Sequence, residues 1–202
     1  MGRPPLFRTA MTATEHQRRW RAKRKKLADR KRALSPAANQ PQHDLVMTPP
    51  KLAERIVQHF KPRGRVLDPC RGQGAFYDAL CRQRGVEAHW CEVAEGRDFF
   101  AEHRHYDWII SNPPWSKFRR FLTHAMTIAD NVVFLATMTH FVTRARLRDL
   151  AHAGFGMVEA VLLDYPPRPW PGGGFQLCAM HVQRGYQGDC RYRKGRLPLR
   201  LS

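Results

Sequence analysis

Short apolar stretches alternate with amphipathic stretches from about residue 44 to residue 185, and this alternation restricts the fold more than any other feature. The apolar stretches predict strands at 65–68, 86–91, 107–111, 131–137, 157–164 and 175–183. The amphipathic stretches predict helices at 49–60, 75–84, 117–129 and 144–153. Strands that alternate with helices indicate an α/β fold with a mainly parallel sheet and helices on both faces. The Pro/Gly-rich connection 165–174 is too short for a crossover helix, so we expect the last strand to be antiparallel.

The first of these helices is expected to begin at Thr48-Pro49-Pro50. Thr48 is the predicted cap, and proline is well tolerated in a first helical turn. Leu52, Ile56, Val57 and Phe60 follow at helical spacing and predict the buried side of the helix.

The positive charge of the chain is concentrated at its N-terminus. The 202 residues carry 35 Lys and Arg against 17 Asp and Glu, a formal net charge of +18. Residues 1–35 alone hold twelve of these cations and two acids, Glu15 and Asp29. We therefore predict three parts: a basic extension at 1–42 that is flexible or helical, a folded domain at 43–185 and a basic tail at 186–202. An excess of this size favours a polyanionic partner, nucleic acid above all, although a basic tail can also serve solubility alone.

Cysteine spacing and hydropathy argue against several classes of protein. The five cysteines are scattered without a C-x-x-C pair, which does not suggest a disulfide framework or a metal site. No apolar run approaches the roughly 20 residues that a membrane span needs. The N-terminus lacks the apolar stretch of a secretory signal. These features predict a soluble, intracellular protein with reduced thiols.

A glycine-bearing loop, residues 68–76, lies between the first predicted strand and the next helix. Its Gly72 and Gly74 allow the backbone to approach a ligand closely, and a helix N-terminus follows beside them. The same pattern also suits a tight turn that binds nothing. Tyr77 stands where the third glycine of a dinucleotide-binding motif would be, which argues against a Rossmann dehydrogenase.

Two acids follow the next strand. Glu92 ends that strand, where a carboxylate can accept hydrogen bonds from both hydroxyls of a ribose. Asp98 could accept from an adenine amino group, and Phe99 could pack against the ring. A solvated carboxylate beside two core aromatics is the alternative interpretation.

The sharpest motif is Asn112-Pro113-Pro114-Trp115, at the end of a predicted strand. The exocyclic amine of adenine is a poor nucleophile because its lone pair is delocalised into the ring. The Asn112 side-chain oxygen and the Pro113 carbonyl can accept its two hydrogens and free that lone pair, and the two prolines stiffen the turn. Trp115 can stack on a planar target, a contact worth roughly 1–3 kcal/mol per base.

In this order, the three motifs resemble those of class I S-adenosylmethionine-dependent methyltransferases that methylate amino groups. The upstream Thr-Pro-Pro segment, the glycine loop and the Asn-Pro-Pro-Trp turn are similar to those of bacterial and phage DNA adenine N6 methyltransferases. The resemblance covers residues 44–185 and implies a Rossmann-like class I methyltransferase fold, catalysis on DNA adenine and a cytoplasmic location in a bacterial or phage-infected cell. It implies S-adenosylmethionine as the cofactor, bound by Thr48, Pro49, Asp68, Pro69, Cys70, Gly72, Gly74, Phe76, Glu92, Asp98 and Phe99, with target binding and catalysis by Asn112, Pro113, Pro114 and Trp115.

The sequence departs from this family in two places. Only five residues separate Glu92 from Asp98, where the family has a helix and a third strand, so we expect one sheet edge to be trimmed. The sheet is also expected to be complete by about residue 185, which leaves no room for the large recognition domain of restriction-type enzymes. We therefore expect low sequence selectivity, with DNA affinity supplied by the basic N-terminus and by Lys117, Arg119, Arg120 and Arg168.

Two other functions remain open on the sequence. The same chemistry also serves enzymes that act on RNA bases or on protein amide nitrogens. A non-catalytic nucleic-acid-binding protein on a methyltransferase scaffold is the alternative from another class, and the intact motif at 112–115 argues against it.

Overall fold

The structure is a computed structural model, and it describes residues 46–166, 170 and 174–194. Its strands are β1 Gly64–Asp68, β2 Val86–Trp90, β3 Tyr106–Ser111, β4 Ala129–Thr137, β5 Phe155–Leu163, β6 Leu177–Arg184 and β7 Arg191–Lys194. They form one seven-stranded sheet in the order β2-β1-β3-β4-β6-β5-β7. Strand β6 is antiparallel to both of its neighbours, β4 and β5, while the other paired strands are parallel. The prediction of a mainly parallel sheet with an antiparallel strand after residue 174 is confirmed.

Helices cover both faces of this sheet, as predicted. They are α1 Pro50–Phe60, α2 Ala75–Cys81, α3 Phe118–Ile128 and α4 Arg144–His152. The buried residues of α1 and α2 belong to one apolar cluster, and those of α3 and α4 belong to another. Neighbouring strand residues alternate between the clusters: Val66 packs on the α1 and α2 side and Leu67 on the α3 and α4 side. Strands that are buried on both faces explain the continuous apolar runs of the sequence.

The sheet edge at β2 is trimmed, as the short spacing after Glu92 predicts. Two single 3₁₀ turns, Val93–Glu95 and Phe99–Ala101, occupy the chain between β2 and β3. Glu92 caps the first turn by accepting from the Ala94 amide at 3.2 Å, and Asp98 caps the second by accepting from the Phe100 amide at 3.0 Å. Both carboxylates are thereby held at the carboxyl end of β2.

Strand β7 lies in the stretch expected to be a basic tail, so the prediction that the sheet ends near residue 185 is wrong. It pairs in parallel with β5, where Glu159 is opposite Arg191, and Arg193 forms an ion pair with Glu159. All four side chains of β7 are exposed. A strand that buries no side chain has no apolar alternation, which explains why the sequence pattern does not show it.

The start of α1 also differs from its prediction. Pro49 occupies the N-cap position, and no side chain caps the helix. Thr48 is 8% exposed and faces the cavity described below. The predicted basic extension at 1–42 lies outside the described residues. Within the described part of the chain, no helix has the length and apolar character needed to cross a membrane.

Candidate active site

A cavity of about 480 Å³ opens at the carboxyl ends of β1, β2 and β3. This is the edge of an α/β sheet at which ligands bind, and the volume is in the range of small-molecule sites. Its lining includes twelve of the residues predicted for cofactor, target or nucleic acid: Thr48, Pro69, Cys70, Gly72, Phe76, Glu92, Asp98, Phe99, Asn112, Pro114, Lys117 and Arg120. It also includes eight residues that were not predicted: Val46, Met47, Arg71, Gln73, Ala75, Val93, Phe100 and Phe121.

The glycine loop forms one wall of the cavity. Gly72 and Gly74 have φ angles of 51° and 91°, a region that favours glycine. A Cβ at Gly72 would lie 2.9 Å from the Met47 sulfur. The backbone angle favours glycine at 72, and a Cβ there would also require the Met47 side chain, which is 40% exposed, to move.

A hydrogen bond to Glu92 connects the glycine loop to the chain just after β2. Glu92 Oε2 accepts from the Gly72 amide at 2.8 Å, while Oε1 accepts from Ala94. A carboxylate offers about four lone-pair sites, so acceptor capacity remains for a ligand hydroxyl group. Asp98 likewise uses Oδ1 for the Phe100 amide and faces the cavity.

An aromatic wall lies next to Asp98. Phe99 is buried and stacks on Phe121, with 5.2 Å between ring centroids and 21° between planes. Phe100 is half-buried, and the Arg120 guanidinium lies 4.6 Å from its ring centroid. The sequence predicts a ring-packing role for Phe99 alone. The adjacent Phe100 was visible as the second aromatic of the pair, but only the turn geometry shows that it also faces the cavity.

Asp68 does not line the cavity but lies beneath its floor. It is 1% exposed and accepts from the Ser111 hydroxyl at 2.7 Å and from the Cys70 amide at 3.3 Å. Burial raises the pKa of Asp68 from 3.8 to about 6. In this position Asp68 connects the ends of β1 and β3 and has no direct access to a ligand.

The Cys70 side chain makes a second connection between these strand ends. Its sulfur lies 3.0 Å from the Ser111 hydroxyl oxygen and 3.5 Å from the Asn112 carbonyl oxygen. Burial raises the pKa of the Cys70 thiol well above its usual value, so the sulfur keeps its proton and can donate it. Ser111 was not predicted as a site residue, because its role depends on two strands that meet only in the fold.

The turn at 112–115 follows β3 directly. Asn112 is half-buried and lines the cavity, and Pro113 is buried beneath it. The Trp115 indole N–H donates to Asn112 Oδ1 and to the Leu135 carbonyl, both at 3.2 Å. This bond fixes the direction of the Asn112 amide, and one lone pair of Oδ1 remains for another donor.

The Trp115 ring lies in an aromatic group just outside the cavity lining. Its centroid is 5.5 Å from that of His140 and 6.0 Å from that of Trp170. Trp170 is buried and donates its indole N–H to the Met47 carbonyl at 2.9 Å. Trp170 therefore lies beside Trp115 and the Met47 backbone, just outside the cavity lining, while Arg168 lies outside the described residues.

His140 was not predicted as a site residue. Its Nδ1 lies 2.8 Å from the Thr137 hydroxyl oxygen. Burial lowers the pKa of His140, which keeps the imidazole neutral beside Trp115.

Several predicted residues are not brought to the cavity: Pro49, Asp68, Gly74, Pro113, Trp115 and Arg119. Gly74 belongs to the glycine loop and Pro113 to the turn at 112–115, but neither residue lines the cavity. Arg119 forms a two-pronged ion pair with Asp149 on α4, at 2.8 and 2.9 Å. No group of three or more His, Cys, Asp or Glu side chains suited to a metal ion occurs among the described residues.

Several solved structures have a fold similar to that of this chain. No family model and no curated protein match the sequence. A Pyrococcus horikoshii protein described as an RNA methyltransferase aligns at a TM-score of 0.57 and 19% identity, over 76% of this chain and 98% of its own. A Listeria monocytogenes protein described as a class I S-adenosylmethionine-dependent methyltransferase aligns at 0.56 and 12% identity, over 78% of this chain and 66% of its own.

A third similar structure is a Vibrio vulnificus protein described as the modification subunit of a type I restriction enzyme. It aligns at a TM-score of 0.55 and 14% identity, over 91% of this chain and 53% of its own. The chain has the Rossmann-like class I methyltransferase fold. Since the chain spans about half of the restriction-enzyme subunit, the likeness concerns one part of that protein.

Proposed function

We propose that the chain is an S-adenosylmethionine-dependent methyltransferase that transfers a methyl group to N6 of adenine in DNA with low sequence selectivity. The observation that carries the proposal is the Asn-Pro-Pro-Trp turn. It places the Asn112 amide in the lining of the same cavity as the glycine loop, and Trp115 holds its oxygen. The turn that we propose binds the target amine therefore borders a nucleotide-sized cavity at the carboxyl edge of the sheet.

The residues of the cavity fit S-adenosylmethionine. Gly72 presents bare backbone against Met47, and a Cβ there would crowd the Met47 sulfur. Glu92 would accept from ribose hydroxyls, Asp98 would accept from the adenine amino group, and Phe100 would pack against the ring; all three line the cavity. When bound, the cofactor supplies an electrophilic methyl group on a positively charged sulfur.

The turn at 112–115 would activate the target amine. Asn112 Oδ1 would accept one amino hydrogen with its remaining lone pair, and the carbonyl of Pro113, a residue that lies behind the cavity lining, would accept the other. Together they favour a pyramidal nitrogen whose lone pair is available for attack. Neither group has to act as a base, because the proton leaves the nitrogen only after methyl transfer.

Duplex DNA places a further demand on the site, because the target adenine must leave the base stack at a cost of a few kcal/mol. Trp115, whose ring lies just outside the cavity lining beside His140 and Trp170, would offset part of this cost by stacking where the displaced base extends past the lining. Lys117 and Arg120, at the start of α3, line the cavity and would contact phosphates beside the displaced base. Phosphate contacts position a protein without reading sequence, which supports low selectivity.

The test is methyl transfer with labelled S-adenosylmethionine to unmethylated DNA, with RNA and a protein fraction in parallel, followed by mass spectrometry of the digests. We expect N6-methyladenine from DNA with the wild-type chain and none with Asn112→Ala. Gln58→Ala, an exposed change on α1, is the control and should leave the product unchanged. Methylated RNA or protein amide without methylated DNA would move the proposal to that substrate, and no product from any of the three would refute it.

A further inference from the structure

A group of cations covers the side of the molecule formed by α3, α4 and the turns before them. We call this surface the α3–α4 face, and it consists of Lys117, Arg119, Arg120, Arg144, Arg146 and Arg148. Residues 113–128 and 138–153 contain these six Lys and Arg but only one acid, Asp149. This is the charge pattern expected for a surface that contacts a polyanion.

The α3–α4 face begins beside the turn at 112–115. Phe118, the first residue of α3, packs on Phe141 and His140 with centroid distances of 4.9 and 5.1 Å. His140 in turn contacts Trp115. Because both helices start at the carboxyl edge of the sheet, their first turns flank the residues proposed to hold the target base.

The cations of the α3–α4 face differ in whether they already contact another side chain. Arg119 and Arg146 both form ion pairs with Asp149, and Arg120 lies over the Phe100 ring. Arg144 and Arg148 are exposed and form no ion pair with any described residue. Four residues apart on one helix, they lie one above the other on the same side, about 6 Å apart along its axis.

We propose that the α3–α4 face binds the phosphate backbone of the nucleic acid next to the target base, with Arg144 and Arg148 as the two principal contacts. The inference rests on the proposed function and adds a contact surface outside the cavity. Phosphate is favoured as the ligand because the free groups are arginines, whose guanidinium groups bind phosphate oxygens in pairs. Asp149 limits the strength of the face by holding Arg119 and Arg146 on the protein.

The experiment compares the full chain with Arg144→Gln/Arg148→Gln and with a control of equal charge change, Arg82→Gln/Arg84→Gln. The control residues are exposed near the end of α2, on the opposite side of the sheet. Binding of a labelled adenine-containing DNA duplex and of the matching RNA duplex is measured between about 50 and 200 mM salt. The plot of the logarithm of the association constant K against log salt has a negative slope. The double change on α4 should make it shallower by about 2, since each phosphate contact contributes roughly 0.9 to its steepness. The control should keep the wild-type slope.

A second variant tests the same face by an increase in binding. Asp149→Asn frees Arg119 and Arg146, so we expect a steeper slope and a lower Kd at low salt. An unchanged slope in Arg144→Gln/Arg148→Gln, or an equal decrease in the α2 control, would overturn the proposal.

Methyl transfer by the same samples separates this inference from the proposed function. A lowered slope without methyl transfer by the wild-type chain would support the face and refute the enzyme. Methyl transfer with an unchanged slope would refute the face alone. The DNA and RNA arms show which backbone the face prefers.

Discussion

Trp115 donates one indole N–H to two acceptors, Asn112 Oδ1 and the Leu135 carbonyl. The indole therefore has a positioning role through Asn112, in addition to the stacking role expected from the sequence. The two roles depend on different parts of the side chain, since the N–H orients Asn112 and the ring face would meet the base. Substitutions that remove one part at a time can separate them.

Trp115→Phe keeps an aromatic ring but removes the N–H. We expect a fall of about 2- to 10-fold in kcat with little change in the KM for S-adenosylmethionine, because one hydrogen bond contributes about 0.5–1.5 kcal/mol. Trp115→Ala should lose more, and should lose more on duplex than on single-stranded DNA, because only the duplex requires unstacking. Steady-state kinetics on both substrates provides the measurement. Wild-type kcat in Trp115→Phe would contradict the positioning role, and equal losses on both substrates in Trp115→Ala would contradict stacking.

Asp68 gives a prediction on stability against pH. Its folded-state pKa of about 6 lies above the ordinary 3.8, so between these values the folded protein binds more protons than the unfolded chain. The contribution of Asp68 to the unfolding free energy therefore falls as pH rises through this window, by on the order of 2–3 kcal/mol, and is constant above it. Asp68→Asn removes this contribution while an amide oxygen can still accept from Ser111.

Urea unfolding of wild type and Asp68→Asn at the two ends of this window checks the prediction. Stability of the variant relative to wild type should rise from the acidic to the neutral end. A difference between the two proteins that does not change with pH would show that burial does not raise the pKa of Asp68. Other carboxylates titrate in both proteins and cancel in the comparison.

Sequence reasoning located the residues of the site that follow strands, and missed those that depend on contacts between strands. Asn112 and Glu92 are recognisable because each ends an apolar run, and the fold brings both to the cavity. The hydrogen bonds of Ser111 with Asp68 and with Cys70 were not predictable, since they connect positions more than forty residues apart. The order of residues along the chain does not show which distant positions the fold brings into contact.

At the scale of elements, apolar periodicity was sufficient for β1 to β6 and for the four helices, since each of them buries or, in β2, half-buries apolar side chains. It failed for β7, which is held by its backbone pairing with β5 and by the ion pair between Arg193 and Glu159. Side-chain patterns report burial, and an exposed edge strand is invisible to them. The trimmed edge at β2 was predictable because it depends on chain length alone.

The glycine loop provides a prediction at this scale, with a matched control. Gly72→Ala and Gly85→Ala both place a side chain at positive φ, 51° and 78°, which costs about 1–2 kcal/mol. Only at Gly72 does the new Cβ meet a neighbour, the Met47 sulfur, and nothing lies within 4 Å at Gly85. Because Met47 lines the cavity, we expect both variants to lose similar stability and only Gly72→Ala to bind S-adenosylmethionine more weakly. Thermal unfolding and calorimetric titration measure the two effects, and equal affinities in both variants would exclude the loop from cofactor binding.

At the scale of the whole molecule, charge and apolar cores occupy different parts of the chain. Among the described residues, 46–166, 170 and 174–194, the buried members of both apolar clusters lie between residues 52 and 182, whereas the sequence of residues 1–35 carries twelve cations and two acids. Stability and nucleic-acid affinity should therefore respond to different changes. The α3–α4 face would position the backbone beside the site, while the N-terminal charge would raise affinity for any nucleic acid.

Deletion of residues 1–35 tests this separation. Since the deletion removes none of the described residues of the two buried clusters, we expect the melting temperature to change little. Removal of ten net positive charges should weaken DNA binding and flatten the salt dependence by several units of slope, because the slope falls by about 0.9 for each phosphate that the protein no longer neutralises. An unchanged slope in the shortened chain would show that the N-terminal charge does not bind DNA.

If the N-terminus and the α3–α4 face bind separate phosphates, their effects should add, since distant sites contribute independently. Combining the deletion with Arg144→Gln/Arg148→Gln should then reduce the steepness of log K against log salt by the sum of the two separate reductions. The same salt titration of the DNA duplex measures this sum. A smaller decrease would mean that the N-terminus and the face compete for the same stretch of backbone.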